Sequence, residues 1–381
     1  MSFRNFKEIL IAFVQAFCIA GITIFAVVPV SCKVSTEGIQ IVGGDYTSPV
    51  MEELKVVDEN SVLISFSKKV RITEAVVSPF MEGLSDSASH SLTQEPSSAI
   101  KAALGDYGKI PVTTENLEND SAVLFKFNTP TAVGKPYELY AVVEDETGNS
   151  LTFAVSFTGF NPCIPSVLIT EAQIKYAKAT LKTGPEFRSE YVEILALEDG
   201  NLAGLRLVSA SDGEAKAYNF PGIEVHRGEI IVVHLRNAGE GCVSELEDNL
   251  NLATGCYSAT DVRDLWDSEN SSHFNDSDDV IFIEDKATGR IIDGMMYSNG
   301  NSEEWKEKIA PYAKRLYENG LFDTDDISGA IINSGTTPKK SITRTCAKEL
   351  FDRLEAGVEI EFPICSNSDE WEVCAVSPGI L

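Results

Sequence analysis

The sequence is poor in positive charge. Its 31 lysines and arginines are outnumbered by 58 aspartates and glutamates, which gives a formal net charge of −27 at pH 7. Because such an excess of carboxylates repels phosphate backbones, we expect no direct nucleic-acid partner. The same charge suits a solvated acidic coat, or a surface that attracts cations or basic partners.

Sequence motifs for catalysis are missing as well. The chain contains no Gly-x-Ser-x-Gly elbow, no His-Glu-x-x-His motif and no Gly-x-x-x-x-Gly-Lys phosphate loop. Histidine is scarce, with four residues in the chain: His90, His226, His234 and His273. We interpret His226 and His234, which flank one predicted strand, as surface or edge residues, although folding can bring a histidine near a cysteine or a carboxylate. We predict no catalytic residues and no cofactor.

The chain also lacks the spacing of a cysteine zinc site. It has no Cys-x-x-Cys pair and no histidine pattern beside its cysteines, so we predict no metal ligands. Six cysteines follow residue 160: Cys163, Cys242, Cys256, Cys346, Cys365 and Cys374. An even number of cysteines in an exported chain is typical of disulfides. Cys242 with Cys256, or Cys365 with Cys374, would close a short loop, but the sequence leaves the connectivity open.

Residues 1–32 contain the long apolar run of this chain. Arg4 and Lys7 precede an uncharged segment at 9–28, and Ser31 stands directly before Cys32. A basic start, an apolar run and a small residue before a cysteine are typical of a bacterial lipoprotein signal. We therefore predict a signal peptide at 1–31, cleavage after Ser31 and attachment of lipid, including palmitate, at Cys32.

Two other interpretations of this segment stay open. The uncharged run has about the 20 residues that a membrane-spanning helix needs, so it suits an uncleaved anchor, and a plain signal peptide is the other alternative. Pro29 stands where a strict lipobox has leucine, and this looser box resembles those of spirochaete lipoproteins. All three interpretations export the remaining chain, which has no second apolar segment of spanning length. The predicted location is the cell envelope, at the outer membrane surface or on the periplasmic side.

The segment after the signal is polar and then becomes strand-rich. Residues 32–48 hold glycine, serine and threonine without an apolar period, which predicts a flexible tether. Short strand signals separated by turns follow at 54–66, 122–127, 137–143 and 151–157. The polar stretch 82–111 lacks strand spacing, and we predict a long loop there with at most one short helix.

Two motifs characterise residues 49–161. Asn-Ser-Val-Leu-Ile-Ser-Phe-Ser lies at 60–67, and Val-Glu-Asp-Glu-Thr-Gly-Asn-Ser-Leu-Thr lies at 143–152. In this order they resemble the first strand pair and the final hairpin of bacterial Ig-like domains in spirochaete surface proteins. The resemblance implies an Ig-like β-sandwich over 49–161.

A longer series of motifs spans residues 163–381. They are Val-Leu-Ile-Thr-Glu at 167–171, Glu-Tyr-Val-Glu-Ile at 190–194, Leu-Ala-Gly-Leu-Arg-Leu at 202–207, Tyr-Asn-Phe-Pro-Gly at 218–222, Gly-Glu-Ile-Ile-Val-Val at 228–233, Ser-Ile-Thr-Arg at 341–344, Trp371, and Ser-Pro-Gly at 377–379. This order resembles a lamin tail domain, and the resemblance implies a second Ig-like β-sandwich. Leu205 departs from the tryptophan usual there, and insertions near 236–275 and 299–340 lengthen the domain.

The second insertion has a helical apolar pattern. Its apolar residues share roughly one helical face: Trp305, Ile309, Tyr312 and Leu316. Pro311 prevents one continuous helix and fits the first turn of a helix that ends near Gly320. We interpret the insertion as helical structure packed on the sandwich, with a partner-binding surface as the alternative.

Two acidic segments are candidates for calcium loops. Asn-Asp-Ser-Asp-Asp at 275–279 and Asp-Thr-Asp-Asp-Ile-Ser-Gly at 323–329 place oxygen ligands close together. Neither segment has the 12-residue loop with a terminal glutamate that an EF-hand requires. We interpret both as polar loops or helix caps.

These observations predict an all-β protein of two tandem Ig-like β-sandwiches, the second with partly helical insertions. The predicted function is that of a membrane-anchored exported lipoprotein, a non-enzymatic binding or structural module of the cell envelope. Its predicted partners are the membrane, through the N-terminal lipid, and a protein or glycan of the envelope. The alternatives are an accessory subunit of an exported hydrolase and a calcium-dependent adhesin.

Overall fold

The structure is a computed structural model, and it describes residues 31–35, 38–42, 47–79, 109–117, 121–177 and 187–381. Its elements are mostly β-strands with two α-helices, which confirms the predicted all-β class. The predicted signal peptide, except Ser31, and the predicted loop at 82–111, except its last three residues, lie outside the described residues. No helix in the described ranges is long and apolar enough to cross a membrane.

A short hairpin occupies part of the segment predicted as a flexible tether. β1 (Ser31–Ser35) pairs antiparallel with β2 (Gly38–Val42), and Cys32 lies opposite Ile41. The tether at 32–48 stays a prediction, and the structure places these two paired strands within its range. β-branched residues such as Ile39 favour the extended backbone, and this preference outweighs the nearby glycines.

The described chain forms two compact units. The first consists of the described residues within Met1–Leu54, Val62–Asn128 and Glu138–Val155, and the second of those within Lys55–Ser61, Thr129–Tyr137 and Ser156–Leu381. The predicted domain limits, 49–161 and 163–381, stay predictions.

Seven strands form one N-terminal sheet. They are β3 (Met51–Asp58), β4 (Ser61–Phe66), β5 (Arg71–Pro79), β6 (Ile110–Asn116), β7 (Ala122–Phe127), β8 (Pro136–Glu144) and β9 (Ser150–Thr158), in the spatial order β3-β4-β7-β6-β5-β8-β9. Along β7, Val123 and Phe125 are fully buried while Lys126 is exposed, as the period of two predicts. The turn before β9 is built on Asp145, whose Oδ1 accepts hydrogen bonds from the backbone N–H groups of Thr147 and Asn149, both at 2.9 Å.

The second unit contains two larger sheets. The six-stranded sheet has the order β17 (Arg263–Trp266), β16 (Ile230–His234), β11 (Tyr191–Ala196), β10 (Val167–Gln173), β21 (Lys340–Arg344) and β22 (Trp371–Ala375). The five-stranded sheet has the order β14 (Tyr218–Asn219), β13 (Leu205–Ser209), β18 (Asp279–Asp285), β19 (Ile291–Ser298) and β20 (Ile331–Ile332). β12 (Gly200–Asn201) and β15 (Glu224–Val225) form a separate pair.

An apolar core joins these two sheets. Ile194 and Val233 of the six-stranded sheet are fully buried in the same cluster as Ile281 and Met295 of the five-stranded sheet. Every residue of β10, β11, β18 and β19 is buried, so these strands are covered on both faces. Because a buried polar group is costly unless it is hydrogen-bonded, polar residues on the covered outer faces need partners.

Two helices pack on this unit. α1 (Ala310–Glu318) has Pro311 in its first turn, and Leu316 is buried in the main core, which confirms the helix predicted in the second insertion. α2 (Ala347–Glu355) was not predicted, and its Leu350 belongs to a smaller buried cluster. Three short 3-10 turns complete the unit: Glu214–Lys216, Ile327–Gly329 and Ser368–Glu370.

Candidate functional site

The outer face of the six-stranded sheet carries a buried row of polar and aromatic side chains. In the strand register, Tyr191 of β11 lies opposite His234 of β16, and His234 lies beside Trp266 of β17. The His234 and Trp266 rings stack with centroids 4.0 Å apart and planes at 16°. His234 is fully buried, so its polar atoms depend on protein partners.

Two side chains of the first insertion hold one nitrogen of His234. Its Nε2 lies 2.6 Å from Oδ1 of Asp264, two residues before Trp266 on β17. Ser258 donates its hydroxyl to the same Oδ1 at 2.7 Å and lies 3.3 Å from Nε2. The other nitrogen, Nδ1, is buried without a hydrogen-bond partner among the described residues.

The thiol of Cys256 is a neighbour of this histidine. Cys256 packs against the cluster of Phe187, Cys242 and Trp266, and its Sγ donates to the Phe187 carbonyl oxygen at 3.0 Å. Burial by itself lowers the pKa of His234, but the interactions with Asp264 and then with Cys256 raise that pKa to about 9. The imidazole is therefore protonated at neutral pH, and a positive charge lies beside the thiol.

A pair of buried carboxylates occupies the next strands of the same face. Glu171 of β10 and Glu193 of β11 are partners in the register, and each is 1% exposed. Glu171 accepts the hydroxyl hydrogen of Tyr191 at 2.6 Å, a hydrogen bond from Ser341 Oγ, and the backbone N–H of Ser377 at 3.1 Å.

The second carboxylate of the pair is partly protonated at neutral pH. Glu193 accepts from the hydroxyl of Thr170 at 2.6 Å and from the backbone N–H of Gly379 at 2.5 Å. Burial, and then the charge of Glu171, raise the pKa of Glu193 to about 7. The two carboxylates thus bind the backbone of Ser377 and Gly379 and hold this segment against the sheet. The charge of Glu193 changes with pH near neutrality.

These two groups differ in what they can do chemically. Glu171 and Glu193 are engaged by hydroxyl and backbone donors, which is the arrangement of a structural network. In the histidine group, a protonated imidazole, oriented by a carboxylate, lies beside a thiol. The Cys256 thiol is itself a hydrogen-bond donor, to the Phe187 carbonyl oxygen.

The described histidines occupy three different environments. The side chain of His226 is 84% exposed and lies 3.7 Å from Asp199, which matches the predicted surface role. His234 is fully buried, so the surface or edge prediction is wrong for it, because the first insertion covers the outer face of the sheet. His273 lies 3.1 Å from Asp267, and His90 is outside the described residues.

The six cysteines that were predicted as disulfide candidates all lie within the described residues. Each of them has a free thiol in this structure. Cys242 and Cys256 lie in one cluster, whereas Cys163 and Cys365 are exposed and Cys346 is half-buried. Cys374 lies opposite Ser341 in the pairing of β22 with β21. The disulfide prediction stays a prediction, and the predicted lipid site, Cys32, belongs to β1.

The acidic segment at 275–279 uses its carboxylates within the fold. Asp279 accepts hydrogen bonds from the hydroxyl of Ser209 at 2.7 Å and from the backbone N–H of Ser211 at 2.9 Å. Asp278 accepts from the Ser298 hydroxyl at 2.8 Å. In the part of the chain that the structure describes, no group of three histidine, cysteine or acidic residues has the geometry of a metal site.

Sequence reasoning missed Ser258, Asp264 and Trp266 because they lie inside a presumed insertion. β17 has four residues, which is too few for an alternation to be distinguished from a loop. The pairing of β17 with β16 is parallel and brings Asp264 to His234 from outside the recognised motifs. The available signal was His234 directly before the insertion and two cysteines, Cys242 and Cys256, within it.

The family comparison covers the unit that holds this site. A family model, TP_1001_2nd, described as a protein second domain, matches residues 165–373. The chain belongs to this family. The matched residues of the TP_1001_2nd family include Glu171, Glu193, His234, Cys256 and Asp264, so both buried polar groups lie inside the family's domain.

A protein of Treponema pallidum (strain Nichols), named an uncharacterized protein, is similar to this member of the TP_1001_2nd family. The two are 26% identical over 239 residues, which is 62% of this chain and 58% of the relative. The matched segment therefore spans less than two thirds of the relative's own length.

Solved structures give weaker similarities. A DUF4876 family protein from Bacteroides thetaiotaomicron is 12% identical, with a TM-score of 0.30 over 69% of this chain and 90% of its own. The N-terminal part of the bacterial S-layer protein SbsC is 16% identical, with a TM-score of 0.23 over 49% of this chain and 40% of its own. TM-scores of this size do not establish a shared fold.

Proposed function

We propose that this protein is an exported lipoprotein of the bacterial cell envelope, anchored by lipid at Cys32. Its β-rich body is a non-enzymatic binding or structural module with a protein or glycan partner. The observation behind the proposal is the sequence of residues 1–32, where a basic start and an apolar run precede Ser31 and Cys32. The spirochaete origin of the Treponema relative agrees with the spirochaete character of this box.

For the second unit we propose a lamin-tail-like sandwich. The support is that residues from separate motifs meet in one network. Glu171 of the first motif contacts Tyr191, Ser341 and Ser377, and these three residues belong to three other motifs. If the motifs mark a lamin-tail fold, we expect their residues to meet in the folded chain, as these do in one hydrogen-bond network.

For the first unit we propose an Ig-like sandwich. The support is the final hairpin, where the motif at 143–152 forms the turn between β8 and β9. Gly148 has a φ of +85°, a conformation that glycine adopts without strain, as the hairpin interpretation requires.

Lipid attachment is tested by replacing Cys32. In a diderm bacterial host fed labelled palmitate, we expect the full chain to incorporate the label and to enter the detergent phase of a Triton X-114 partition. The Cys32→Ala variant should lose both properties, since the thioether needs the cysteine sulfur. The exposed Cys163 supplies the matched control, because Cys163→Ala should keep both. Unchanged labelling of Cys32→Ala would refute the anchor.

The side of the envelope is tested by protease treatment of intact cells, with a periplasmic protein as control. Digestion of the body while the control survives would support binding of an external partner. Protection until the outer membrane is permeabilised would support a structural role in the periplasm. Recovery of the full-length protein in the cytoplasmic fraction would contradict the proposal.

A further inference from the structure

We propose that the first insertion carries a protein-docking surface, the insertion patch, formed by the exposed side chains of Val243, Leu246 and Leu252. Its partner is a protein segment that combines apolar residues with lysine or arginine. This inference rests on the proposed function as a binding module, and it names the surface that binds and the kind of partner. It does not depend on lipid at Cys32.

The insertion patch stands on a loop whose two ends meet. The carbonyl oxygen of Gly241 accepts hydrogen bonds from the backbone N–H groups of Thr254 at 2.9 Å and Gly255 at 2.8 Å. The segment 241–255 is therefore closed at its base and forms a compact surface loop. Loops of this closed kind are frequently functional.

One carboxylate holds the interior of this loop. Glu245 is fully buried, and its Oε1 accepts hydrogen bonds from the backbone N–H groups of Leu252 at 2.8 Å and Ala253 at 3.0 Å. Its Oε2 accepts the backbone N–H of Asp264, on β17, at 2.9 Å. These bonds bring Leu252 beside the residue that precedes Leu246, so the two leucines share one surface.

The backbone of the same loop is also fixed from β17. The Nη1 atom of Arg263 donates to the carbonyl oxygens of Glu245 at 2.7 Å and Glu247 at 3.0 Å. The hydroxyl of Ser244 accepts the backbone N–H of Trp266 at 2.9 Å. A loop that is held in one conformation loses little conformational entropy when a partner binds, which favours affinity.

The side chains of the insertion patch are turned to solvent although their backbone is anchored. Val243 is 45% exposed, Leu246 is 52% exposed and Leu252 is 45% exposed. A single exposed apolar residue is common on protein surfaces and needs no explanation. A group of them on one ordered loop with a polar rim is typical of an interaction site.

The rim of the insertion patch is negative. Residues 237–262 contain no lysine or arginine, whereas Glu240, Glu247 and Asp248 are exposed. An apolar centre with a polar rim is the anatomy of a protein–protein interface. Because the rim carries carboxylates, the complementary partner presents positive charge around its own apolar residues.

The two arginines that bound this stretch do not offset its charge. Arg236 is buried and pairs with Glu190. Arg263 is buried and pairs with Glu229 at 2.6 Å. Each guanidinium is thus neutralised within the fold, and neither adds positive charge to the rim.

The same features argue against other occupants of the insertion patch. Its carboxylates repel the phosphates of nucleic acids and of anionic lipids, and they repel a second copy of a chain with a net charge of −27. A glycan would lose water from its hydroxyls against valine and leucine without gaining hydrogen bonds. A basic protein segment with apolar residues satisfies both the centre and the rim.

The surface is tested by photo-cross-linking of the full chain in the cells that produce it. A benzophenone amino acid takes the place of Leu246 in one chain and of Leu252 in another. The control places it at Tyr317, which has a similar exposure of 47% on α1. We expect a discrete adduct from each patch position and none from the control. Mass spectrometry should locate the adduct on a peptide of another protein, with a positive net charge.

Further variants separate apolar contact from charge. With the cross-linker at Leu252, Leu246→Ser should lower the adduct yield about tenfold, as for a central interface residue. Glu247→Lys combined with Asp248→Lys should also lower it severalfold, because like charges then meet. Glu318→Lys, on the exposed side of α1, is the matched control and should leave the yield unchanged. The urea midpoint of every variant should equal that of the wild type, since these side chains are exposed.

The remaining outcomes count against the proposal in different ways. An adduct with lipid, glycan, nucleic acid, a second copy or another part of the same chain would overturn the basic protein partner. An undiminished yield after charge reversal would do the same. Adducts from Tyr317 alone would refute the insertion patch and leave the binding module standing. No adduct from any of the three positions would contradict both, whereas the lipid anchor is decided separately by the labelling of Cys32.

Discussion

Arg344 is a buried cation at the centre of the second unit. It is 1% exposed, its guanidinium donates to Asp293 Oδ2 at 2.8 Å, and it lies 4.4 Å over the Trp371 ring. It also donates to the carbonyl oxygen of Ile169 at 2.9 Å. The side chain of Arg344, on β21, therefore contacts residues of three other strands, β10, β19 and β22.

Replacing Arg344 should be severely destabilising. Arg344→Ala leaves Asp293 buried without its counter-ion, so we expect a loss of about 3–5 kcal/mol in the free energy of unfolding by urea. Arg344→Met combined with Asp293→Asn should recover part of that loss, since no charge is then stranded. The exposed pair of Lys348 and Asp352 is the control, and Lys348→Ala should cost less than about 0.5 kcal/mol. Equal effects at the two sites would contradict this assignment.

Glu193 should make stability depend on pH. Its folded pKa of about 7 exceeds the ordinary value of 4.5, so between these values the folded chain binds more protons than the unfolded chain. Stability from this group is complete below about pH 4.5 and is lost as the pH rises through about 7, by on the order of 3 kcal/mol.

The Glu193→Gln variant checks this slope. Its amide can donate to Thr170 and accept from Gly379, because the threonine hydroxyl can rotate. Chemical denaturation at several pH values should therefore show a flatter profile for Glu193→Gln between pH 5 and pH 8. A control variant at the exposed Glu318 should retain the wild-type slope, and an unchanged slope in Glu193→Gln would show that another group titrates.

At the scale of elements, α1 is joined to the core by one side of the helix. Leu316 is fully buried, whereas the next residue, Tyr317, is 47% exposed. Leu316→Ala should lower the free energy of unfolding by about 2–5 kcal/mol because it leaves a cavity. Tyr317→Ala should cost less than about 0.5 kcal/mol. Urea melts of the two variants measure the difference, and similar costs would mean that the helix does not pack as described.

The elements that could be predicted are those with a strong local pattern. β7 alternates clearly, α1 has a proline at its start, and the Asp145 turn contains the glycine that a hairpin needs. β6 was missed because most of its side chains are exposed, so it shows no apolar period. β17 was missed because four residues contain too little pattern.

The candidate site could not be predicted from local sequence patterns, because its residues come from distant parts of the chain. His234 comes from a recognised strand, but Cys256 and Asp264 reach it only when the first insertion folds over the sheet. Such contacts depend on the path of a loop, which composition and periodicity do not determine. Three residues of the carboxylate network, Glu171, Tyr191 and Ser341, lie within the sequence motifs, but those motifs did not by themselves predict the network.

At the scale of the whole molecule, the sequence carries a formal net charge of −27 at pH 7. We expect no retardation of duplex DNA in a gel shift at physiological salt, since carboxylates and phosphates repel. A basic DNA-binding protein in the same buffer serves as the positive control. A shift that weakens with added salt would reveal a basic surface within this acidic chain and would contradict the prediction.

The hydrogen bonds from residues 377–379 to Glu171 and Glu193 bear on the order in which the unit can form during synthesis. The strands that bear these carboxylates emerge from the ribosome early, whereas Gly379, which donates to Glu193, emerges after every strand of the unit. The domain therefore cannot complete its hydrogen bonding while it is being translated. The hydrogen bond from Gly379 to Glu193 is thus one that forms only after all the strands of the unit have been synthesised.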